Sequence, residues 1–118
     1  MNTSGLMILV WVSLAGGIGA VLRLLASRWQ GKLPWGILAV NTIASGILGW
    51  FIGADAYTLF IVSAFAGGLS TFSSFAGQTS QFLTSGQRAK AFANVALNLV
   101  VPSTAVLLGA LLSGALLN

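Results

Sequence analysis

Residues 65–75 read Phe-Ala-Gly-Gly-Leu-Ser-Thr-Phe-Ser-Ser-Phe and interrupt an apolar run that is otherwise typical of a membrane-spanning helix. Irregular backbone at membrane depth is tolerated only where it lines a cavity or contacts protein. Phe72 and Phe75 lie three positions apart in this stretch. The stretch therefore predicts a segment that lines a cavity or contacts protein, and not an ordinary lipid-facing helix. The hydroxyl groups beside the two rings belong to Ser70, Thr71, Ser73 and Ser74.

The composition of the 118-residue chain is that of an integral membrane protein. Hydrophobic residues make up 57% of it and charged residues 5%, whereas charged residues alone make up about a quarter of a soluble protein. The connections between apolar segments are short, so successive helices should be antiparallel neighbours. We predict one all-α membrane domain, residues 1–118, with four transmembrane helices at about 6–25, 35–53, 57–83 and 91–117.

The side-chain inventory excludes several classes of enzyme. The chain contains no cysteine and no histidine, and Asp55 is its one acidic residue. A paired-carboxylate site, a Ser-His-Asp triad and the usual transition-metal sites need residues that are absent. The net charge of +4 comes from scattered cations and not from a basic run. The sequence therefore predicts neither an enzyme nor a nucleic-acid-binding protein.

The cations are distributed on one side of the predicted topology. They are Arg23, Arg28, Lys32, Arg88 and Lys90, and all lie near the first and third connections. The second connection instead contains Asp55. Because cations in short loops stay cytoplasmic, we predict a multi-pass protein of the cell membrane, inserted in one orientation with both termini outside.

Three asparagines lie within the predicted spans, at Asn41, Asn94 and Asn98. An asparagine in a membrane helix often forms a hydrogen bond between helices. Its amide also supplies two N–H donors, which suit a site that replaces the water around an anion. The residues alone leave both interpretations open. Since Asn94 and Asn98 are four positions apart on one helix face, the three amides indicate a shared polar seam.

Arg23, Phe72 and Phe75 also permit two interpretations each. Arg23 ends the first span, where it either extends to the membrane interface or concentrates anions at a pore mouth. The two phenylalanines either pack in the core or against lipid, or they present their positive ring edges to an anion. An aromatic edge attracts an anion without holding it tightly, and a conducting site must release its ion.

Four motifs occur in order along the predicted spans. The most specific is Gly-Gly-Leu-Ser-Thr-Phe-Ser-Ser-Phe at 67–75. The others are Gly-Gly-x-Gly-x-x-x-Arg at 16–23, Gly-x-Leu-x-x-Asn at 36–41 and Asn-Val-x-x-Asn-Leu at 94–99. Together they resemble the CrcB, or Fluc, family of fluoride channels, and the resemblance covers nearly the whole chain.

The resemblance implies an antiparallel dimer of four-helix subunits, each with a broken third helix, and two fluoride pores along the subunit interfaces. Phe72, Phe75 and Asn41 match the pore residues of the family. Ser73 and Ser74 match its polar track, along which the ion moves.

Two further sites follow from the same resemblance. Arg23 matches the arginine of the family's vestibule. The backbone carbonyls of Gly67 and Ser70 match the positions that hold a structural sodium ion at the dimer centre. Because the ligands are carbonyl oxygens, a serine at position 70 in place of the commoner threonine should not change the site.

The chain departs from the family pattern at several positions. Ile37 stands where many members have threonine, and Gln78 stands where they have glutamate. These replacements remove a hydroxyl from the ion path and a carboxylate from one pore end, so one pore or one end of each is expected to be altered. The amide of Gln78 is a further candidate for the polar seam of Asn94 and Asn98. Ala76 and Pro102 are the other departures.

The sequence thus predicts a passive fluoride channel that exports cytoplasmic fluoride, with sodium and the lipid bilayer as further partners. Its one-sided cations favour a heterodimer with an oppositely oriented paralogue over a homodimer. A small multidrug-type exporter also has four short spans, but proton-coupled export calls for an intramembrane carboxylate, and Asp55 lies in a loop. An assembly subunit without transport is the third interpretation, and it leaves the Phe-Ser-Ser-Phe segment unexplained.

Overall fold

A computed structural model describes residues 2–116 of the chain. In this part the protein is all-helical. The five helices are α1 (Thr3–Ala26), α2 (Trp35–Trp50), α3 (Ala56–Leu69), α4 (Phe72–Thr84) and α5 (Arg88–Leu112).

Within residues 2–116, three helical stretches are long and apolar enough to cross a membrane: Thr3–Ala26, Ala56–Thr84 and Arg88–Leu112. The 24 residues of α1 correspond to about 36 Å, which exceeds the roughly 30 Å of a hydrocarbon core. The apolar helix α2 is shorter, with 16 residues. Large apolar side chains are half-exposed along α1 and α5, as expected for faces covered by lipid. The protein is a multi-pass helical membrane protein.

The helix ends differ in places from the predicted spans of 35–53 and 91–117. The second helix ends at Trp50. The Phe51 N–H still bonds to the Ile47 carbonyl four residues back, but the Ile52 N–H bonds to the Gly49 carbonyl three residues back, so a turn replaces the α-helical spacing. The fifth helix begins at Arg88 and ends at Leu112. The predicted end of that span, at 117, lies outside the described residues.

Two helix pairs form the body of the subunit: α2 packs against α5, and α1 packs against α3. Glycine permits both contacts. A Cβ on Gly49 would collide with the Val106 carbonyl, and a Cβ on Gly68 would collide with the Gly16 carbonyl. Small residues at such crossings let helix backbones approach closely. The buried core between the pairs consists of Ile37, Val40, Ala44, Ala66 and Leu69.

Two residues in extended backbone, Ser70 and Thr71, separate α3 from α4. Their conformation leaves the helical region, with ψ of 159° at Ser70 and 123° at Thr71. The Ser70 N–H still bonds to the Ala66 carbonyl, and the Thr71 hydroxyl caps α4 by accepting a hydrogen bond from the Ser74 N–H. Each helix end thus gains a local hydrogen bond, which matters because the terminal N–H and C=O groups of a helix lack partners within it.

The two ends of the bundle differ in charge. Lys32 and Lys90 line one groove, which is formed by the α1–α2 and α4–α5 connections. Asp55 lies in the α2–α3 connection, where its carboxylate caps α3. Hydrogen bonds from the N–H and the hydroxyl of Thr58 hold the pKa of the Asp55 carboxyl below its usual value. The single carboxylate is thus an exposed cap that stays ionised at neutral pH.

Candidate functional site

A cavity of about 250 Å³ lies beside the extended residues, and we call it the phenylalanine cavity. It brings together Asn41, Ser70, Phe72 and Phe75, four of the residues that the sequence singles out, although they come from three different segments. The wall of the cavity is made by Asn41, Ser45, Ser70, Thr71, Phe72, Phe75, Asn98, Leu99 and Pro102.

The two aromatic rings of this cavity contact each other edge to face. Their centroids are 5.7 Å apart and their planes are inclined at 63°. Phe75 packs against the buried core, whereas Phe72 is 79% exposed on the surface of the subunit. In such a pair the edge of one ring points at the face of the other. Both rings line the phenylalanine cavity, so an ion that enters the cavity would meet them.

The side chain of Asn41 holds the backbone of Thr71 by two hydrogen bonds. The Thr71 N–H donates to Asn41 Oδ1 over 2.7 Å, and Asn41 Nδ2 donates to the Thr71 carbonyl over 3.2 Å. The amide thereby pairs with both polar groups of one residue, as a neighbouring strand would. Asn41 therefore serves as a contact between helices in this subunit, the first of its two interpretations.

Asn41 also begins a network of polar side chains that crosses from α2 to α5 and α4. Its Nδ2 donates to Asn98 Oδ1 over 3.1 Å, and Asn98 Nδ2 donates to Asn94 Oδ1 over 3.2 Å. Asn94 Nδ2 donates to Thr79 Oγ1 over 3.0 Å, and the Thr79 hydroxyl donates to the Phe75 carbonyl over 2.9 Å. We call Asn41, Asn98, Asn94 and Thr79 the asparagine network.

Arg23 lies in a second cavity, of about 560 Å³, which we call the arginine groove. Ser73 and Ser74 line this groove and not the phenylalanine cavity, while Thr71 lines both. The reason is helical geometry, since successive residues are rotated by about 100° and therefore point away from Phe72 and Phe75. The predicted pore residues thus fall into two groups on opposite sides of Thr71.

Gln78 lies apart from the asparagine network. In the described part of the chain no hydrogen bond joins it to Asn94 or Asn98, and its buried Oε1 has no hydrogen-bond partner. The next residue along α4, Thr79, faces α5 and accepts the hydrogen bond from Asn94 instead. Gln78 lines the groove of Lys32 and Lys90.

Ile37, another departure from the family pattern, lies outside both cavities. Its side chain is 1% exposed and belongs to the core. A hydroxyl at this position would be buried among apolar groups. The replacement of threonine by isoleucine therefore changes the core and not the lining of either cavity.

The end of α3 carries backbone oxygens that suit a hard cation. Among residues 2–116, the carbonyls of Gly67 and Ser70 accept no hydrogen bond outside a helix. The N–H groups that could reach the Gly67 carbonyl bond elsewhere, that of Ser70 to Ala66 and that of Thr71 to Asn41. The Ser74 N–H, which could reach the Ser70 carbonyl, bonds to the Thr71 hydroxyl. Gly67 is exposed, with no atom within 4 Å of the position of a Cβ. Hard cations prefer oxygen ligands. The two carbonyls therefore fit a sodium ion.

The sequence alone assigns no role in the site to Ser45, to Thr79 or to the backbone of Thr71. Ser45 is four positions after Asn41 and shares its helix face. Thr79 is likewise four positions after Phe75, so a helical face drawn through Phe72 and Phe75 would have included it. The backbone role of Thr71 has no signal in the sequence, because it depends on the contact with Asn41.

These features define a class: a small helical membrane protein in which polar groups gather at a short extended segment between two membrane helices. The chain belongs to the CrcB family, since the family model described as "CrcB-like protein, Camphor Resistance (CrcB)" matches residues 10–110.

Curated relatives match over almost their full lengths. The chain is 36% identical to "Fluoride-specific ion channel FluC" of Pyrococcus abyssi, over 96% of this chain and 98% of the relative. It is 35% identical to the protein of the same name from Pyrococcus horikoshii, over 90% and 95%. The corresponding protein of Opitutus terrae is 34% identical, over 85% and 87%.

Proposed function

We propose that this protein is a passive fluoride-selective channel through which fluoride leaves the cytoplasm. The observation that carries the proposal is the phenylalanine cavity, where two aromatic rings lie beside a polar amide cluster in a membrane protein. Aromatic edges favour an anion. The Asn41 amide, which donates to Thr71 and Asn98 in this subunit, would donate to an anion that replaced one of those partners. The similarity to fluoride-specific channels identifies that anion as fluoride. The protein is a channel and not an enzyme.

The driving force for export needs no energy-coupling group. Hydrogen fluoride is a weak acid that crosses bilayers in its neutral form and dissociates in the less acidic cytoplasm, where the anion accumulates. An inside-negative potential then drives fluoride out with about 2.3 kcal/mol per 100 mV. This energy corresponds to a roughly forty- to fiftyfold concentration ratio, since about 1.4 kcal/mol is tenfold. An open path is sufficient for resistance to fluoride.

A conducting pore requires a second subunit in this proposal. The phenylalanine cavity opens on the surface of the subunit, where Phe72 is 79% exposed. An ion path through a membrane must be enclosed by protein, because lipid cannot solvate an anion. We infer an antiparallel dimer with two pores, in which α3 and α4 form one span that is broken at Ser70 and Thr71. Each pore would combine the phenylalanine cavity and the Ser73–Ser74 track of different subunits.

The dimer centre would hold a structural sodium ion. The ligands would be the Gly67 and Ser70 carbonyls of both subunits, and the ion would supply a positive charge that fixes two α3 ends together. The exposure of Gly67 and the free carbonyls support this proposal. Arg23, in the arginine groove, would attract fluoride to the vestibule.

The two other interpretations are less well supported. Proton-coupled export needs a carboxylate that changes its protonation state within the membrane. Asp55 is an exposed helix cap whose pKa is lowered by its hydrogen bonds to Thr58. An assembly subunit would not need a cavity lined by two aromatic rings and an asparagine amide. Neither alternative explains why Asn41, Phe72 and Phe75 meet.

Reconstitution tests the proposed function. Liposomes that contain the purified chain, alone or together with an oppositely oriented paralogue, and are loaded with potassium fluoride should release fluoride in at least one of the two preparations when valinomycin makes them permeable to potassium, as measured with a fluoride electrode. Release of chloride from matched liposomes should stay at the background of protein-free liposomes. Equal release of both anions, or release that requires a proton gradient, would contradict a passive fluoride-selective channel.

Orientation is tested separately, because it decides between a homodimer and a heterodimer. Lys32 and Lys90 lie at the end opposite Asp55, so we expect reporter enzymes fused after Asn118 to be active only outside the cell. Moving the two lysine charges to the Asp55 connection should give insertion in both directions. Reporter activity on both sides in the unaltered protein, together with full flux from this chain alone, would contradict the heterodimer.

A further inference from the structure

We propose that the asparagine network is a brace that fixes the orientation of the two phenylalanine rings, and that Asn94 is a positioning residue for fluoride selectivity although it lines neither cavity. This inference deepens the proposed function. It rests on that function only for the identity of the ion, fluoride. The brace itself is a property of the fold. It assigns a role to Asn94 and Thr79, which no ion would touch.

The network is attached to both ends of the turn that carries the rings. At one end Asn41 holds the N–H and the carbonyl of Thr71, the residue before Phe72. At the other end the Thr79 hydroxyl donates to the carbonyl of Phe75. Asn98 and Asn94, both on α5, connect the two attachments. The turn of α4 that contains both rings is therefore connected at each end, through the network, to neighbouring helices.

Phe72 needs such a brace because little else restrains it, whereas Phe75 also packs against the buried core. Phe72 is 79% exposed, so its own packing within the subunit is slight. It also follows two extended residues, and the Thr71 N–H and carbonyl are bonded to Asn41 and not to a neighbouring helical turn. Without the amide of Asn41, the start of α4 would lose its bonded connection to α2 through Thr71.

Ring orientation matters because an aromatic ring has a positive edge and a negative face. A rotation that turned a face toward the ion path would replace attraction of an anion with repulsion. Selectivity for a small, strongly hydrated anion therefore depends on how narrowly the ring directions are held. A network that limits the tilt of α4 also limits which part of each ring meets the ion.

The position of Asn94 supports the assignment. Its side chain is 2% exposed, and it is the one buried polar residue of the described chain. Its Nδ2 donates to Thr79 and its Oδ1 accepts from Asn98, so both ends of the amide are used. A buried polar group that lacks hydrogen-bond partners destabilises the folded protein. If this position served only to hold the helices together, a leucine of similar size would fill the same space and would need no hydrogen-bond partners.

The test separates positioning from simple stabilisation. Replacing Asn94 with leucine and Thr79 with valine removes both partners of one hydrogen bond. Asn98 Nδ2 loses Asn94 Oδ1 but keeps its hydrogen bond to the Asn94 backbone carbonyl over 2.9 Å. The second variant is Thr79→Val alone, which changes one side chain and leaves Asn94 Nδ2 without this acceptor. The matched control is Thr42→Val, which removes a hydroxyl bonded to its own helix at the Leu38 carbonyl, beside Asn41 but outside the network.

Two readouts are needed, and the first is independent of ion flux. With 4-fluorophenylalanine at position 72, fluorine NMR should give one narrow resonance in the parent protein and in Thr42→Val. We expect a shifted and broadened resonance in Thr79→Val and a larger change in the double variant. The thermal unfolding midpoint of the double variant should stay close to that of the parent.

The second readout is the ratio of fluoride to chloride permeability in liposomes. The double variant should lower this ratio by about tenfold, which corresponds to about 1.4 kcal/mol of discrimination, while Thr42→Val leaves it unchanged. An unchanged resonance and an unchanged ratio in a folded double variant would overturn the brace. If the double variant does not fold, an unchanged resonance in Thr79→Val would overturn it. Absence of fluoride flux from the parent protein, both alone and with an oppositely oriented paralogue, would instead overturn the proposed function and leave the NMR result standing.

Discussion

Replacing Phe72 or Phe75 with isoleucine should lower fluoride flux by about tenfold to a hundredfold, which corresponds to about 1.4 to 2.7 kcal/mol on the barrier. Isoleucine keeps apolar bulk but has no ring edge, so the partial positive charge that faces the anion is lost. The two rings contact each other with centroids 5.7 Å apart, so each substitution also removes the partner of the remaining ring. Efflux from liposomes at equal protein density measures the change.

The control for this prediction is Phe92→Ile. Phe92 is 76% exposed, nearly the same fraction as the 79% of Phe72, but it lies at the beginning of α5 and lines neither cavity. We expect this variant to keep full flux. Undiminished flux in Phe72→Ile and Phe75→Ile, with all three proteins monodisperse in detergent, would show that the two rings are packing residues.

The helical class and the interruption near residue 70 could be predicted because both depend on local composition. A run of apolar residues predicts a membrane helix, and the glycines and hydroxyl residues before Phe72 weaken a helix locally. The extended conformation of Ser70 and Thr71 lies within the stretch that the sequence singles out. The end of α2 at Trp50 has no such signal, because Phe51 and Ile52 remain apolar after the helix has ended in a turn.

The contents of the site were only partly predictable. The meeting of Asn41 with Thr71 joins residues 30 positions apart, and no local pattern reports which backbone group an amide will reach. The separation of Ser73 from Phe72 is different, because it follows from the helical rotation of about 100° per residue and is readable from the sequence. Gln78 lies apart from the amides with which the sequence groups it, since Thr79 occupies the adjoining position on the face toward Asn94.

The largest effect is expected from Asn41→Asp, which should abolish fluoride flux at neutral pH. The aspartate retains an oxygen for the Thr71 N–H but loses the donations to the Thr71 carbonyl and to Asn98 Oδ1. It also places a negative charge in the wall of the phenylalanine cavity, where an anion must pass. Like charges at about 4 Å repel by about 4 kcal/mol at an effective dielectric constant of about 20, which exceeds the loss of any single hydrogen bond.

A neutral substitution at the same position separates charge from the loss of the amide. Asn41→Ser removes the contacts with Thr71 and Asn98 without adding charge, so it should retain reduced but measurable flux. Asn2→Asp is the matched control, because Asn2 Oδ1 accepts a hydrogen bond from the Gly5 N–H as the cap of α1, and aspartate is an equally good cap. That variant should conduct normally. Equal flux in Asn41→Asp and Asn41→Ser would mean that no anion passes the cavity wall at Asn41, and the amide would then be a contact between helices alone.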